Sequence, residues 1–199
     1  MSFYDVIWFL FAGALRLVFR IRREGCENLP ASGPVIVCSN HRSDLDPVLL
    51  GATLTRPLCF MAKEELFRVP VLSGLIRLLG AFPVRRGKGD TEAIRKSLRV
   101  LKDGKVLAMF PEGTRLRKGT LPATFKAGVA LFAYKTGADI LPAAIVCKGK
   151  VRPFKRIRVV IGKPIKPAEL GFTDGSTENL RHASSVLRDR VVALMEENH

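Results

Sequence analysis

The apolar and polar positions change period several times along the chain, and each change marks an element. Phe3 to Ile21 is the most apolar stretch, but Asp5, Arg16 and Arg20 interrupt it and leave only Val6 to Leu15 free of charge. A bilayer span needs about twenty predominantly apolar residues. At about 100° per residue, Asp5, Arg16, Arg20 and Arg23 fall on one helical face, apart from Trp8, Phe11, Leu15 and Val18. Residues 1–23 are therefore expected to form an amphipathic helix in the membrane interface, with its arginines at the headgroups and its aromatic rings among the upper acyl carbons. A cleavable leader would open on basic residues, not on Asp5. The competing reading is an apolar helix packed on the protein's own core.

Beyond Gly33-Pro34 the pattern shortens. Val35-Ile36-Val37-Cys38 reads as a buried β-branched strand running into Ser39-Asn40-His41-Arg42-Ser43-Asp44-Leu45-Asp46-Pro47. Asp46-Pro47 resembles an N-cap followed by proline at the first helical position, so a helix is expected from Pro47 to Thr53. Pro70 splits the block from Lys63 to Leu79 into a turn and a helix, and Gly80 to Val84 reads as a short strand ending at Arg85-Arg86-Gly87. Asp90 can cap a helix carrying Ile94, Leu98 and Leu101, with Gly104 as its stop. Strands follow at Val106 to Phe110, Ile140 to Val146 and Ile157 to Ile161, with helices over 125–136 and 177–196. Alternating strands and helices predict an α/β single-domain sandwich, with a central mostly parallel or mixed sheet flanked by helices. With no repeat or long linker, residues 24–199 are expected to be one catalytic domain.

Composition narrows the function. The chain of 199 residues carries 33 Lys and Arg against 18 Asp and Glu, a net charge of +15, with 47% hydrophobic residues. Disordered chains lack that apolar content, and multi-pass membrane proteins lack those charges. The charge predicts attraction to phosphates. The run Lys148, Lys150, Arg152, Lys155, Arg156, Arg158, Lys163 has no acidic residue within it and suits anionic headgroups or an acidic carrier; a solvated face is the alternative. Nucleic-acid binding would call for exposed aromatic platforms, yet 12 of the aromatic residues are Phe, mostly inside apolar runs, so no nucleic-acid partner is expected. Cys26, Cys38, Cys59 and Cys147 have no C-x-x-C spacing and read as reduced thiols of a cytosolic protein. Cys38, three residues before His41, could be a nucleophile, but its apolar strand favours a core role.

His41 is the candidate base. In a tight loop, Asp46 can fold back to accept the Nδ1–H of the ring, leaving Nε2 free to take a proton. Without a G-x-S-x-G elbow, the base would act on a hydroxyl of the second substrate, which attacks an already reactive acyl donor such as a thioester. In Glu112-Gly113-Thr114-Arg115, glycine permits close backbone approach and Arg115 offers a planar fork for phosphate, with Lys126 downstream. Arg85 and Arg86 end another strand near the same rim. Neither a nucleotide loop nor a zinc site can be assembled, so no metal or cofactor is expected.

These blocks resemble those of the glycerolipid acyltransferases, in particular the bacterial 1-acylglycerol-3-phosphate O-acyltransferase type. Asn40 to Asp46 matches the N-H-x-x-x-x-D block, Gly80 to Arg86 the second, Phe110 to Arg115 the third, and Leu141-Pro142-Ala143 the fourth. The resemblance implies transfer of a fatty acyl group from acyl-CoA or acyl-carrier protein to the sn-2 hydroxyl of lysophosphatidate, giving phosphatidate, at the cytoplasmic face of the membrane. His41 would be the base and Asp46 its orienting partner. Arg86, Glu112, Gly113, Thr114 and Arg115 would bind the acceptor, with Arg115, Arg86 and Lys63 at its phosphate. Another lysophospholipid or a lyso-ornithine lipid as acceptor, and hydrolysis by water, are the neighbouring alternatives.

Overall fold

The computed structural model describes residues 3–85, 90–113, 115 and 122–197. In chain order the elements are α1 (Phe3–Val18), β1 (Ile21–Glu24), β2 (Val35–Ser39), α2 (Asp46–Thr53), β3 (Leu58–Lys63), α3 (Pro70–Leu78) and β4 (Ala81–Val84). They continue as α4 (Thr91–Lys102), β5 (Val106–Met109), α5 (Gly128–Thr136), β6 (Asp139–Val146), β7 (Ile157–Ile161) and α6 (Thr177–Glu196). Among the described residues, the strands form one sheet in the order β1-β7-β6-β2-β5-β3-β4. The strands from β6 to β4 run parallel, β7 is antiparallel to β6, and β1 is parallel to β7.

All five residues of β2 are buried, as are all four of β5. Such strands read as continuous apolar runs because helices cover both faces. One face packs Phe19, Leu49, Leu50, Leu54 and Ile157 beneath α1, α2 and α3. The other packs Leu101, Val129, Phe132, Leu180, Leu187 and Val191 from α4, α5 and α6. Each fully buried Leu or Ile contributes about 1.5–3 kcal/mol. The caps are local. Asp90 accepts from the Ala93 N–H, and Ser176 from that of Asn179.

Several expectations change. The first helix ends at Val18; Arg20 lies in the turn beyond it with φ 42°, and Arg23 belongs to β1. The arginines therefore do not share one helical face. Arg16 is turned inward, its Nε donating to the Ala52 carbonyl at 2.6 Å. Strand β1 crosses the expected 23/24 boundary and joins residues 21–23 to the sheet of the following domain. Ala12, 2% exposed, and Phe19, 6% exposed, pack inward, while Leu10 and Leu17 stand 66% and 79% exposed. This segment is thus both core and surface. Among the described residues, no helix is long and apolar enough to cross a membrane. Strand β3 also went unforeseen. Asp46 opens α2 as its first residue, after Leu45, and makes no cap of the expected kind. Cys38 is fully buried in the α4–α6 core, where loss of solvent pushes its thiol pKa far up, so it is no nucleophile.

The topology puts the working loops on one edge. The carboxyl ends of β6, β2, β5, β3 and β4 point the same way, and antiparallel β7 and its neighbour β1 begin there. At the other end, Arg56 ties the loops together by donating to the carbonyls of Pro30, Gly33 and Gly104. The turn into β4 depends on Gly80, at φ +85°, where an added Cβ would lie 2.1 Å from the Leu58 carbonyl oxygen. Gly80→Ala therefore combines strain with backbone overlap and is expected to lower stability by about 2–3 kcal/mol. Urea unfolding checks this: the midpoint falls while the m-value stays fixed.

Candidate active site

Strand β2 ends at Ser39, and Asn40 fastens its continuation to β6. The Asn40 amide donates to the Ile145 carbonyl at 3.0 Å, and its carbonyl accepts from the Ile145 N–H at 2.7 Å. His41 thus leaves the sheet from a fixed point. The following loop curls until Asp46, wholly buried at the start of α2, faces it. Asp46 Oδ2 lies 2.9 Å from His41 Nδ1 and accepts from the backbone N–H groups of Arg42 and Ser43. A carboxylate so placed can only accept, which fixes the imidazole proton on Nδ1 and leaves Nε2 as the basic nitrogen. The His41 ring stacks on Phe110, with centroids 4.4 Å apart.

A second carboxyl enters from β5. Glu112, 8% exposed, accepts the His41 backbone N–H through Oε1 at 2.9 Å. Its Oε2 is buried with no hydrogen-bond partner among the described residues. Burial is the main cause that pushes the Glu112 pKa up to about 7, with the nearby Asp46 charge adding to it and the bond to His41 opposing it. Expected among the acceptor-binding groups, Glu112 is committed through one oxygen to holding His41. It also lines a cleft of about 410 Å³ with Lys126 and Arg181. Gly113 has φ +74°, and an added Cβ would stand 2.3 Å from Lys126 Nζ, so the ammonium lies directly over this peptide.

The other sequence candidates fall around this centre. Arg115 is on the same loop and pairs with Asp44 at 2.6 Å, both side chains being more than half exposed. Exposed pairs of this kind contribute about 0–1 kcal/mol, so a phosphate can displace Asp44. Lys63 is exposed at the end of β3, on the same sheet edge. Arg85 is held by Glu64 at 2.8 Å. Arg86 and Thr114 lie outside the described residues. Among the described residues, no group of His, Cys, Asp and Glu could hold a metal ion. Sequence reading gave Asn40 and Phe110 no role; their places, Asn40 directly before H-x-x-x-x-D and Phe110 two residues before E-G-T-R, were the available clue.

Comparison with known proteins decides the lineage. A family described as Acyltransferase matches residues 20–146. The chain belongs to the acyltransferase family. It is 33% identical over 158 residues to the chloroplastic 1-acyl-sn-glycerol-3-phosphate acyltransferase of Arabidopsis thaliana, covering 74% of this chain and 44% of that one. The 1-acyl-sn-glycerol-3-phosphate acyltransferase of Bacillus subtilis is 28% identical over 191 residues, covering 92% and 94%. The chain thus spans less than half of the plant relative and nearly all of the bacterial one. The crystal structure of the 1-acyl-sn-glycerophosphate acyltransferase PlsC from Thermotoga maritima superposes with a TM-score of 0.68 at 25% identity, covering 98% and 95% of the two chains.

The raised Glu112 pKa has a consequence for stability. Between its ordinary 4.5 and about 7 the folded protein holds a proton that the unfolded chain releases. The stabilisation is complete below about 4.5 and is lost as pH rises through about 7. Glu112→Gln keeps an acceptor for the His41 N–H and removes the titration. Its loss of stability between pH 5 and pH 8.5 should be smaller than the wild type's, by on the order of 2 kcal/mol in urea titrations.

Proposed function

We propose that this protein transfers a fatty acyl group from an acyl thioester, of CoA or of acyl-carrier protein, to the sn-2 hydroxyl of 1-acylglycerol 3-phosphate, forming phosphatidate. The observation that carries this reading is the 2.9 Å His41–Asp46 contact at the centre of a cationic sheet edge, in a chain whose relatives bear that activity's name. His41 Nε2 takes the proton from the sn-2 hydroxyl as its oxygen attacks the thioester carbon. Asp46 holds the imidazolium that forms. The tetrahedral centre collapses, the carbon–sulfur bond breaks, and the thiolate leaves as thiol with the proton from His41. Base catalysis of this kind contributes about 10²–10⁴-fold, the rest coming from positioning and electrostatics.

Arg115 and Lys126, with Lys63 farther along the edge, bind the acceptor phosphate, while the Gly113 backbone approaches its glycerol; the family blocks give Arg86 and Thr114 a part in the same acceptor binding. With burial raising its pKa to about 7, Glu112 repels that phosphate less than an ordinary carboxylate would. Such a lipid acceptor lives in a bilayer, so the protein works at a membrane surface, on the cytoplasmic face where soluble donors are found. Two exposed apolar helix faces support this. Leu10 and Leu17 on α1, and Val71 and Leu75 on α3, stand out from the same layer of helices. Leu17 and Val71 sit at the ends of α1 and α3 that adjoin the His41 edge.

Assays with acyl thioesters and lysophosphatidate test the chemistry. His41→Ala should lower kcat at least a thousandfold with unfolding midpoints unchanged; a folded, active variant refutes the base. Arg115→Ala should raise KM for lysophosphatidate at least tenfold and alter kcat less. The membrane reading is tested by replacing Leu10 and Leu17 with Asp together, which should cut co-sedimentation with anionic vesicles severalfold; undiminished sedimentation refutes it.

A further inference from the structure

On the far flank of His41 from Arg115 and Lys126, a second cleft of about 460 Å³ opens where the β6–β7 connection meets the turn between α1 and β1. Its walls carry Arg20, Lys148, Lys155, Arg156 and Arg158 over a floor of Val146 and Cys147. Arg158 is engaged by Glu24 at 3.1 Å. The other four cations have no ion-pair partner among the described residues, and all four are exposed. Like charges gathered around one concavity repel one another, and an anion resting among them removes that cost. The cleft is tied to the catalytic loop, since Arg42 donates to the Gly149 carbonyl at 3.0 Å. It also opens on the α1–α2 side of the sheet, where Cys147 and Phe110, the residue under the His41 ring, belong to one apolar cluster.

Distance separates the two substrates. Strands β7 and β1, which adjoin Arg156 and Arg20, lie two and three places from β2 in the sheet. At about 4.8 Å per strand, these cations stand roughly 10–14 Å from the strand that delivers His41. In lysophosphatidate four bonds separate the sn-2 oxygen from phosphorus, a reach of about 5 Å. An acceptor whose hydroxyl touches His41 therefore cannot place its phosphate in this cleft. A coenzyme A thioester can, because its pantetheine arm puts roughly 15 Å between sulfur and the diphosphate. The diphosphate and ribose phosphate together carry about four negative charges at neutral pH. The volume is also that of a small-molecule site, about 300–1,000 Å³, whereas a carrier protein's helix, about 10 Å across, would rest on the rim.

We propose that this cleft binds the nucleotide phosphates of the acyl donor, so that the protein draws its acyl group from a coenzyme A thioester. The assignment rests on the acyl transfer set out above. Donor and acceptor then reach His41 from opposite flanks: donor phosphates over β7 and β1, acceptor phosphate beside β5. The pantetheine arm runs along the end of β6 toward the imidazole.

The test uses the whole protein and the exposed pair Lys155→Ala/Arg156→Ala. Calorimetric titration with adenosine 3′,5′-bisphosphate needs no turnover; the wild type should bind it, and the double variant at least tenfold more weakly. In kinetics, the kcat/KM preference for acyl-CoA over the same acyl group on pantetheine should fall at least tenfold in the variant. A bisphosphate affinity or donor preference that does not change overturns the proposal. So does a tenfold rise in KM for lysophosphatidate alone, which would mark an acceptor site. A wild-type preference for acyl-carrier protein that the variant loses, or a loss confined to vesicle binding, overturns it in favour of a carrier or a membrane. Bisphosphate binding without acyl transfer from any donor to lysophosphatidate defeats the proposed function and with it the donor assignment, leaving a nucleotide site.

Discussion

One buried oxygen organises the catalytic edge. Asp46 Oδ2 gathers the His41 ring nitrogen and two successive backbone N–H groups, those of Arg42 and Ser43, while its carboxyl has no exposure to solvent. Burying a carboxylate is costly unless donors replace the water it loses. Here the donors to Oδ2 come from the residues that must turn sharply between β2 and α2, so holding that oxygen and shaping the loop are one event, while Oδ1 is buried with no hydrogen-bond partner among the described residues. Remove the carboxylate and the ring loses its orientation together with the loop. The chemistry therefore rests on a structural element only seven residues long, from Asn40 to Asp46.

A second carboxyl makes the arrangement cooperative. Glu112 reaches across from β5 to the backbone of His41, so the loops after β2 and β5 are joined at the proposed base. Two buried carboxylates this close cannot both be comfortable as anions, and the strain falls on the one with fewer donors. Asp46 collects three and Glu112 one. The raised Glu112 pKa lessens the negative charge beside Asp46 and, in the proposed reaction, the repulsion of an incoming phosphate. The same carboxyl lines the cleft that Lys126 also lines, so in the proposed reaction acceptor binding there would be coupled to the position of the base.

Much of this was legible in the sequence, and the exceptions have physical reasons. The pairing of positions 41 and 46 followed from loop length and chemistry, and the helix over 177–196 from its apolar period; its Ser176 cap emerged only in the structure. Strand β1 was hidden because Ile21-Arg22-Arg23-Glu24 is an edge segment whose middle two side chains are exposed; only its pairing with β7 makes it a strand. Strand β3 was hidden for the opposite reason. Leu58 to Ala62 is apolar without alternation and merges into the next apolar block, where period alone cannot divide strand from helix. The face ascribed to Arg16, Arg20 and Arg23 failed because a helix projection assumes the helix continues, and this one stops at Val18.

Net charge was the least specific clue, because it counts cations that do unrelated work. Arg16 and Arg56 hold carbonyls inside the fold, Arg188 holds the Pro122 carbonyl, and Arg85 is matched by Glu64. Subtracting them leaves a residue of charge whose position matters more than its size. Lys63, Arg115, Lys126, Lys148, Lys155, Arg156 and Arg20 are spread along the sheet edge that presents His41, on both of its flanks. A field concentrated on one edge turns that edge toward an anionic leaflet and draws phosphorylated ligands to it. With apolar side chains at the nearby ends of α1 and α3, the proposed orientation that brings the cations to the headgroups would also immerse Leu17 and Val71. Thus, in the proposed function, one posture serves both for binding the surface and for receiving the substrate.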